Sequence, residues 1–444
     1  MLDRNEKCGQ LTINNQQLTI SSFMHKLTTL KNGLKIITSE MPHTSGVSTN
    51  IFVGAGSRYE TKKESGISHF AEHMFFKGTK KRPSTLEISK IIDGVGGIMN
   101  AFTAHDHTCF WNKVPKKYFS LGIDVVSDTF LNSLFKEKEI EKEKGVIMEE
   151  INMGKDTPMR HVVDLFYELI FQNTPLGQNI IGTKKSVSAM KREDFMVYLK
   201  SLYQPQNIAI SVAGDIKHSK IVEEIKKRFD KIEKRETRKY QSVIDEQNKP
   251  AVLINFKDTN QSHLILGFKA LSKYDPQKPV LDMINMILSG GMSSRLFIDI
   301  RVKKGLAYYV RAYEHNFMDI GCFYVHAGLN SEKIEEAIKL IIKEFKELKE
   351  KKVSLKELKK AKEYLKGNLL LDMDDTEEVS SWFGTQALFE KKIKTPEEKI
   401  KEIEKVTAEQ IQKLSQKLFI QNKMNLALIG PFKDEKPFLK LLKI

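Results

Sequence analysis

Residues 69–73 read His-Phe-Ala-Glu-His. On a helix, positions i, i+3 and i+4 share one face. His69 and His73 can then offer both imidazoles to one divalent ion, with the carboxylate of Glu72 beside it. Zinc suits that donor set. It lowers the pKa of a bound water to about 7, and Glu72 can take the water's proton as general base. The order is the reverse of the H-E-x-x-H zinc motif. Two histidines leave such a site incomplete, because catalytic zinc takes three protein ligands and keeps one position open. A carboxylate is the expected third ligand, and EKEIEKEKGVIMEEINM is the best source. There Glu143, Val146, Ile147 and Glu150 fall at i, i+3, i+4 and i+7, on one half-apolar helix face. A carboxylate on such a face is costly to bury unless it is paired or metal-bound. Spacing alone leaves Glu149 and Glu150 both open. The plain reading of all these residues is a charged, solvated helix surface.

The elements that must hold these groups alternate between strand and helix. Strands are expected at 34–39 (LKIITS) and 47–54 (VSTNIFVG), and a helix at 66–76 (GISHFAEHMFF). Ser84 and Glu87 match a capping box that opens a second helix, closed by Gly94. Two strands follow at 97–104 and 107–114, then long helices near 116–133 and 136–153, then a strand at 207–213. Residues 231–250 are highly charged and poor in apolar residues, which reads as a linker. The second half repeats the plan, with strands at 251–256 and 262–268, a helix at 276–289, a strand-like FYVHAGL and an end strand at 425–429. LYQPQNIAISVAG and LFIQNKMNLALIG align without a gap 216 residues apart, which supports an internal duplication. The domain expectation is an N-terminal extension at 1–23, a catalytic domain at 24–231, a linker at 232–250 and a homologous domain at 251–444.

Composition narrows the class. The 444 residues are too many for one ordinary core. The net charge of +15 arises from 72 Lys and Arg against 57 Asp and Glu. Most of the lysines alternate with glutamates at helical spacing, which suits solvated helix faces. No RNA-binding, zinc-finger or helix-turn-helix signature accompanies them, so nucleic acid is not an expected partner. No stretch reaches the ~20 apolar residues of a membrane span. Nor does the N-terminus resemble a secretory or mitochondrial leader. Three cysteines without metal-like spacing suit a reducing, cytoplasmic setting.

Taken together, HFAEHMFFKGTKKRP, GGIMNAFTAHDHTCF and EKGVIMEEI resemble the pitrilysin or insulinase family of metallopeptidases. TPLGQNIIGT, LYQPQNIAISVAGD and GGMSSRLFIDIRVKKGLAY extend the resemblance to residues 24–431. One departure is Asn173-Thr174, where relatives usually place a His. The resemblance implies that Glu150, 77 residues after His73, is the third ligand, and that Glu143 supports the site. It implies that Arg301 and Tyr308, which a helix would put on one side, bind substrate and stabilise the reacting carbonyl. Asn100, Ala101, Phe102 and Thr103 become the strand that pairs with the peptide. His105 and His107 are expected not to ligate. The implied fold is α+β, with two homologous domains, each an antiparallel sheet with flanking helices, forming a clam-like chamber on dimerisation. The implied activity is zinc-dependent endopeptidase cleavage of unstructured peptides. One Zn2+ per chain is expected, because VLDMINMILSGG in the second half has no His. A homodimer is the expected assembly, with a heterodimer of related chains as the variant. The rival expectation is a non-catalytic scaffold or assembly subunit of the same fold.

Overall fold

The computed structural model describes residues 25–444. The expected extension at 1–23, and Met24, lie outside the described residues. Two sheets organise the chain. The first contains β1 (His25–Thr29), β2 (Lys35–Glu40), β3 (Gly46–Val53), β4 (Ile98–Thr103), β5 (Thr108–Pro115) and β6 (Ile208–Gly214), in the order β1-β2-β6-β3-β5-β4. The second contains β7 (Ala251–Phe256), β8 (Gln261–Ala270), β9 (Ala307–Asn316), β10 (Gly321–Asn330) and β11 (Asn425–Gly430), in the order β7-β11-β8-β10-β9. Each is antiparallel but for one parallel pair, β2 with β6 and β7 with β11. Without β1, the two orders superpose strand for strand. The ungapped match seen in the sequence is the segment that leads into β6 and β11. β4 and β9 are therefore equivalent edge strands.

One face of each sheet is covered by helices of its own half. On the first, Ile36, Ile51, Val53, Phe110 and Ile210 pack with Phe70, Met74 and Phe75 of the motif helix and with Ile147 and Ile151. On the second, Leu264, Leu266, Phe268 and Phe323 pack with Ile284, Ile338, Phe345 and Phe419. The opposite faces are covered by exchange between the halves. The helix Thr376–Phe389 lays Val379, Phe383 and Ala387 on Ile37, Phe52, Cys109, Ala209 and Ala213 of the first sheet. It sits so close that a Cβ at Gly384 would meet the Phe52 ring at 2.3 Å. Polar contacts fix its height. Ser380 donates to the Ser211 carbonyl at 3.0 Å, and the Lys113 ammonium is 2.7 Å from the Asp375 carboxylate. In return, the helix Pro158–Ile170 lays Val162, Leu165 and Phe166 on Ile265, Tyr324, Ala427 and Ile429 of the second sheet.

The segment 231–250 has no regular secondary structure. It is nonetheless anchored to both halves. Buried Arg58 pairs with Asp106 at 2.9 Å and with Asp319 at 2.7 Å, and its guanidinium lies 3.8 Å from the centre of the Tyr240 ring. Asp319 also accepts a hydrogen bond from the backbone N–H of Val243. At the second helix, Ser84 accepts from the Glu87 N–H, so that half of the expected capping box is present.

Candidate active site

The motif helix runs Ile67–Met74. It begins at Gly66, whose φ of +94° lies in the left-handed region and whose position offers no capping side chain. Glu60 supplies the cap from outside. Its carboxylate accepts from the N–H groups of Gly66 and Ser68, both at 2.8 Å, and from the Ser68 hydroxyl. Burial pushes the Glu60 carboxyl up to about 8, against the pull of these donors. The helix start is thus fixed two residues before its first histidine.

His69 and His73 turn to the same side, with ring centres 4.6 Å apart. The second helix, Glu137–Asp156, brings up the carboxylates. Glu150 Oε2 lies 3.8 Å from His69 Nε2 and 3.7 Å from His73 Nε2. All three donor atoms fall within 4.8 Å of one another, and among the described residues no other group of three His, Cys, Asp or Glu does so. Glu149 points elsewhere and is exposed, near Asn152. Glu143 is buried and sits 2.8 Å from His73 Nδ1, with the Lys77 ammonium on its other oxygen. That bond commits Nδ1 to donating and leaves the Nε2 lone pair facing Glu150. Of the expected helix face, Ile147 is buried while Val146 is half exposed. The face is narrower than its apolar pattern suggested.

The electrostatics suit a cation. Burial and the neighbouring His73 pull the His69 imidazole down to about 3, which keeps it neutral and able to ligate. Burial works against charged His73, but the Glu143 hydrogen bond and the Glu150 and Glu72 carboxylates outweigh it and raise its pKa. Glu150 Oε2 is buried without a hydrogen-bond partner among the described residues. An orphaned carboxylate oxygen facing two imidazole nitrogens is a costly arrangement that a bound divalent ion would relieve. Glu72 accepts from the Thr103 hydroxyl at 2.6 Å, and burial raises its carboxyl above the ordinary range. Thr103 belongs to β4, so the motif helix and the expected substrate strand are directly tied. Among the described residues β4 pairs only with β5, and its exposed and half-buried residues alternate. Asn100 and Phe102 face outward, while Ala101 leans on the core. His105 contacts Ser57 and stacks on Tyr167, and His107 lies among Phe52, Phe102 and Phe389. Neither joins the cluster.

Residues 35–184 match the family described as Insulinase (Peptidase family M16), and residues 189–365 match the Peptidase M16 inactive domain. The uncharacterized zinc protease YmxG of Bacillus subtilis is 36% identical over 92% of this chain and 98% of its own length. An uncharacterized zinc protease of Streptomyces coelicolor is 33% identical over 92% and 90%. The chain belongs to peptidase family M16. Its fold matches the crystal structure of a protease from Helicobacter pylori with a TM-score of 0.86, at 22% identity, over 92% of this chain and all of that one. The first M16 half carries the histidine cluster. The second M16 half carries Arg301 and Tyr308, and here the helical expectation fails. Arg301 lies in the π-helical turn Phe297–Val302, whereas Tyr308 lies on the edge strand β9. Gly328 of β10 faces Tyr309 and Leu329 faces Ala307, so Tyr308 is the extra residue of a β-bulge. A bulge re-aims its side chain, and Tyr308 stands 59% exposed. Neither Arg301 nor Tyr308 lines the cleft beside His69. Glu60 and Lys77 were not anticipated from sequence. Glu60 acts from a loop outside the helix it caps, and no local pattern announces it.

Proposed function

We propose that this M16 chain is a zinc-dependent endopeptidase in which His69, His73 and Glu150 hold one zinc per chain. The observation that carries the proposal is the convergence of two imidazole Nε2 atoms on an unpartnered Glu150 oxygen. When bound, zinc polarises the scissile carbonyl and acidifies the attacking water. Glu72 takes the proton from that water and passes it to the leaving amide nitrogen. Thr103 holds the Glu72 carboxylate toward the site through its 2.6 Å hydrogen bond. Glu143 orients His73 and offsets the charge of Lys77.

The free edge of β4 takes the peptide as an added strand, using Asn100 to Thr103. Only an extended segment can bind this way, so the substrate is an unstructured peptide or protein segment. Tyr308 donates to the developing oxyanion and Arg301 binds substrate, both supplied by a second copy in a homodimer. That neither Arg301 nor Tyr308 lines the cleft beside the histidines of its own chain supports a shared site. Cys109 and Cys322 are buried free thiols, which fits a cytoplasmic setting.

Purified protein is expected to hold one zinc and to lose hydrolysis of unstructured peptides on chelation. Glu72→Gln is expected to keep the zinc and lose nearly all turnover, by about a thousandfold or more. Elemental analysis and peptide hydrolysis read the two outcomes separately. Near-wild-type turnover in Glu72→Gln would remove the assigned base.

A further inference from the structure

The His69–Glu150 pair lies on the wall of a cleft of about 1560 Å3 that runs between the halves, from the end of β4 to Phe317. Its charge is lopsided. Lys62, Lys155, Arg160, Lys184, Lys185 and Lys273 line it. Among the described residues, none of these six has a carboxylate in ion-pair contact. Elsewhere the lysines of this protein are commonly paired, as Lys339, Lys343 and Lys346 are with glutamates on one helix. On the acidic side of the cleft, Asp106 is held by Arg58 and Glu150 faces the two histidines, leaving Asp164, beside His161, and Glu168. Five of the cations are exposed and stand around the rim.

Lys273 differs from the rest. It is half-buried, and its ammonium lies 3.7 Å from the centre of the Phe389 ring. It stands where the cleft meets a second cavity of about 890 Å3, beside Tyr274 and Glu390. Burial pulls its pKa below the ordinary lysine range despite the fields of Asp106 and Glu390. An ammonium taken partly out of water without a carboxylate partner is a cost the fold carries. An incoming carboxylate would relieve it.

We propose that this cleft selects peptide segments carrying carboxylates, with the unpaired ammonium of Lys273 as the inner receptor and the rim cations as the steering field. The inference rests on the peptidase reading, because it names the substrate class of the same site. It also predicts a strong salt dependence, since exposed charges are screened within about 10 Å at 0.1 M salt.

The test uses full-length Glu72→Gln protein and fluorescent peptides of one sequence. One peptide carries glutamates with a free C-terminus, a second replaces the glutamates by glutamines, and a third amidates the C-terminus. Fluorescence anisotropy at low salt is expected to show the glutamate peptide binding at least about fivefold tighter than its glutamine isostere. Raising the salt should shrink that ratio. A drop confined to the amidated peptide would assign the site to a terminal carboxylate. A drop confined to the glutamine peptide would assign it to side chains. Adding Lys273→Met, which keeps the apolar stem, should bring the ratio close to one. The exposed pair Lys184→Glu and Lys185→Glu should reduce it independently, should the Lys273 variant fail to fold. Equal binding of all three peptides, or tighter binding of the glutamine form, would overturn the inference. Hydrolysis of the same peptides by the unsubstituted protein tests the peptidase reading separately.

Discussion

Glu149 and Glu150 differ by one position and about 100° around the helix axis, and that rotation decides which carboxylate reaches the histidines. Glu150→Gln is therefore expected to lower zinc affinity by about a hundredfold or more, while Glu149→Gln leaves it near wild type. Competition with a chromophoric chelator reads both. Equal loss in the two variants would contradict the geometry. Much of this site was legible in the sequence. The i, i+3, i+4 spacing set His69, Glu72 and His73 on one side, and the heptad from Glu143 to Glu150 marked the facing helix. The choice between neighbouring glutamates was not legible from spacing, because both lie on a helix with charge all around it. Nor was the cap by Glu60, whose partners Gly66 and Ser68 are set by the loop that returns its carboxylate to the helix start.

The strands were legible where alternation was regular and obscure where it was broken. β7 was bounded correctly from AVLINF. β9 was not foreseen, since a bulge at Tyr308 sets two tyrosines side by side and disrupts the two-residue period. Alternation tells which face is buried and says nothing of which neighbour is missing, so the edge position of β4 came from the family resemblance alone and that of β9 was not foreseen. β4 and β9 both proved to be edges, and an edge exposes a row of unpaired N–H and C=O groups. If β4 takes the substrate as a strand, main-chain bonds carry much of the affinity. Peptides N-methylated at alternate backbone positions next to the scissile bond should then lose about tenfold or more in kcat/KM, in one register only. Equal tolerance of methylation in both registers would remove β4 as the substrate strand.

The exchange of helices between the halves was outside the reach of sequence reading, because periodicity gives a helix its buried face and not the sheet on which that face rests. At this scale the shared-site proposal makes its sharpest claim. Glu72→Gln keeps an intact Arg301–Tyr308 pair, and Tyr308→Phe keeps an intact metal cluster. A mixed dimer has one site with both defects and one with neither. Mixing the two under conditions of subunit exchange should restore up to about half of wild-type activity per mixed dimer. Sites completed within one chain would show no rescue. The exchanged helices also set a timetable for synthesis. The strands of the first sheet are complete at Gly214, but the helix that seals their outer face begins only at Thr376. At ribosomal speeds of about 5–20 residues per second, the intervening chain takes roughly 8–30 s to emerge. Throughout that interval Ile37, Phe52, Cys109, Ala209 and Ala213 lack the cover that buries them in the finished protein. A fragment ending at residue 250 is expected to aggregate when made alone and to stay soluble when made together with residues 251–444, as sedimentation of the lysate would show. The outer face of the N-terminal half thus waits, during synthesis, for a helix made near the end of the chain.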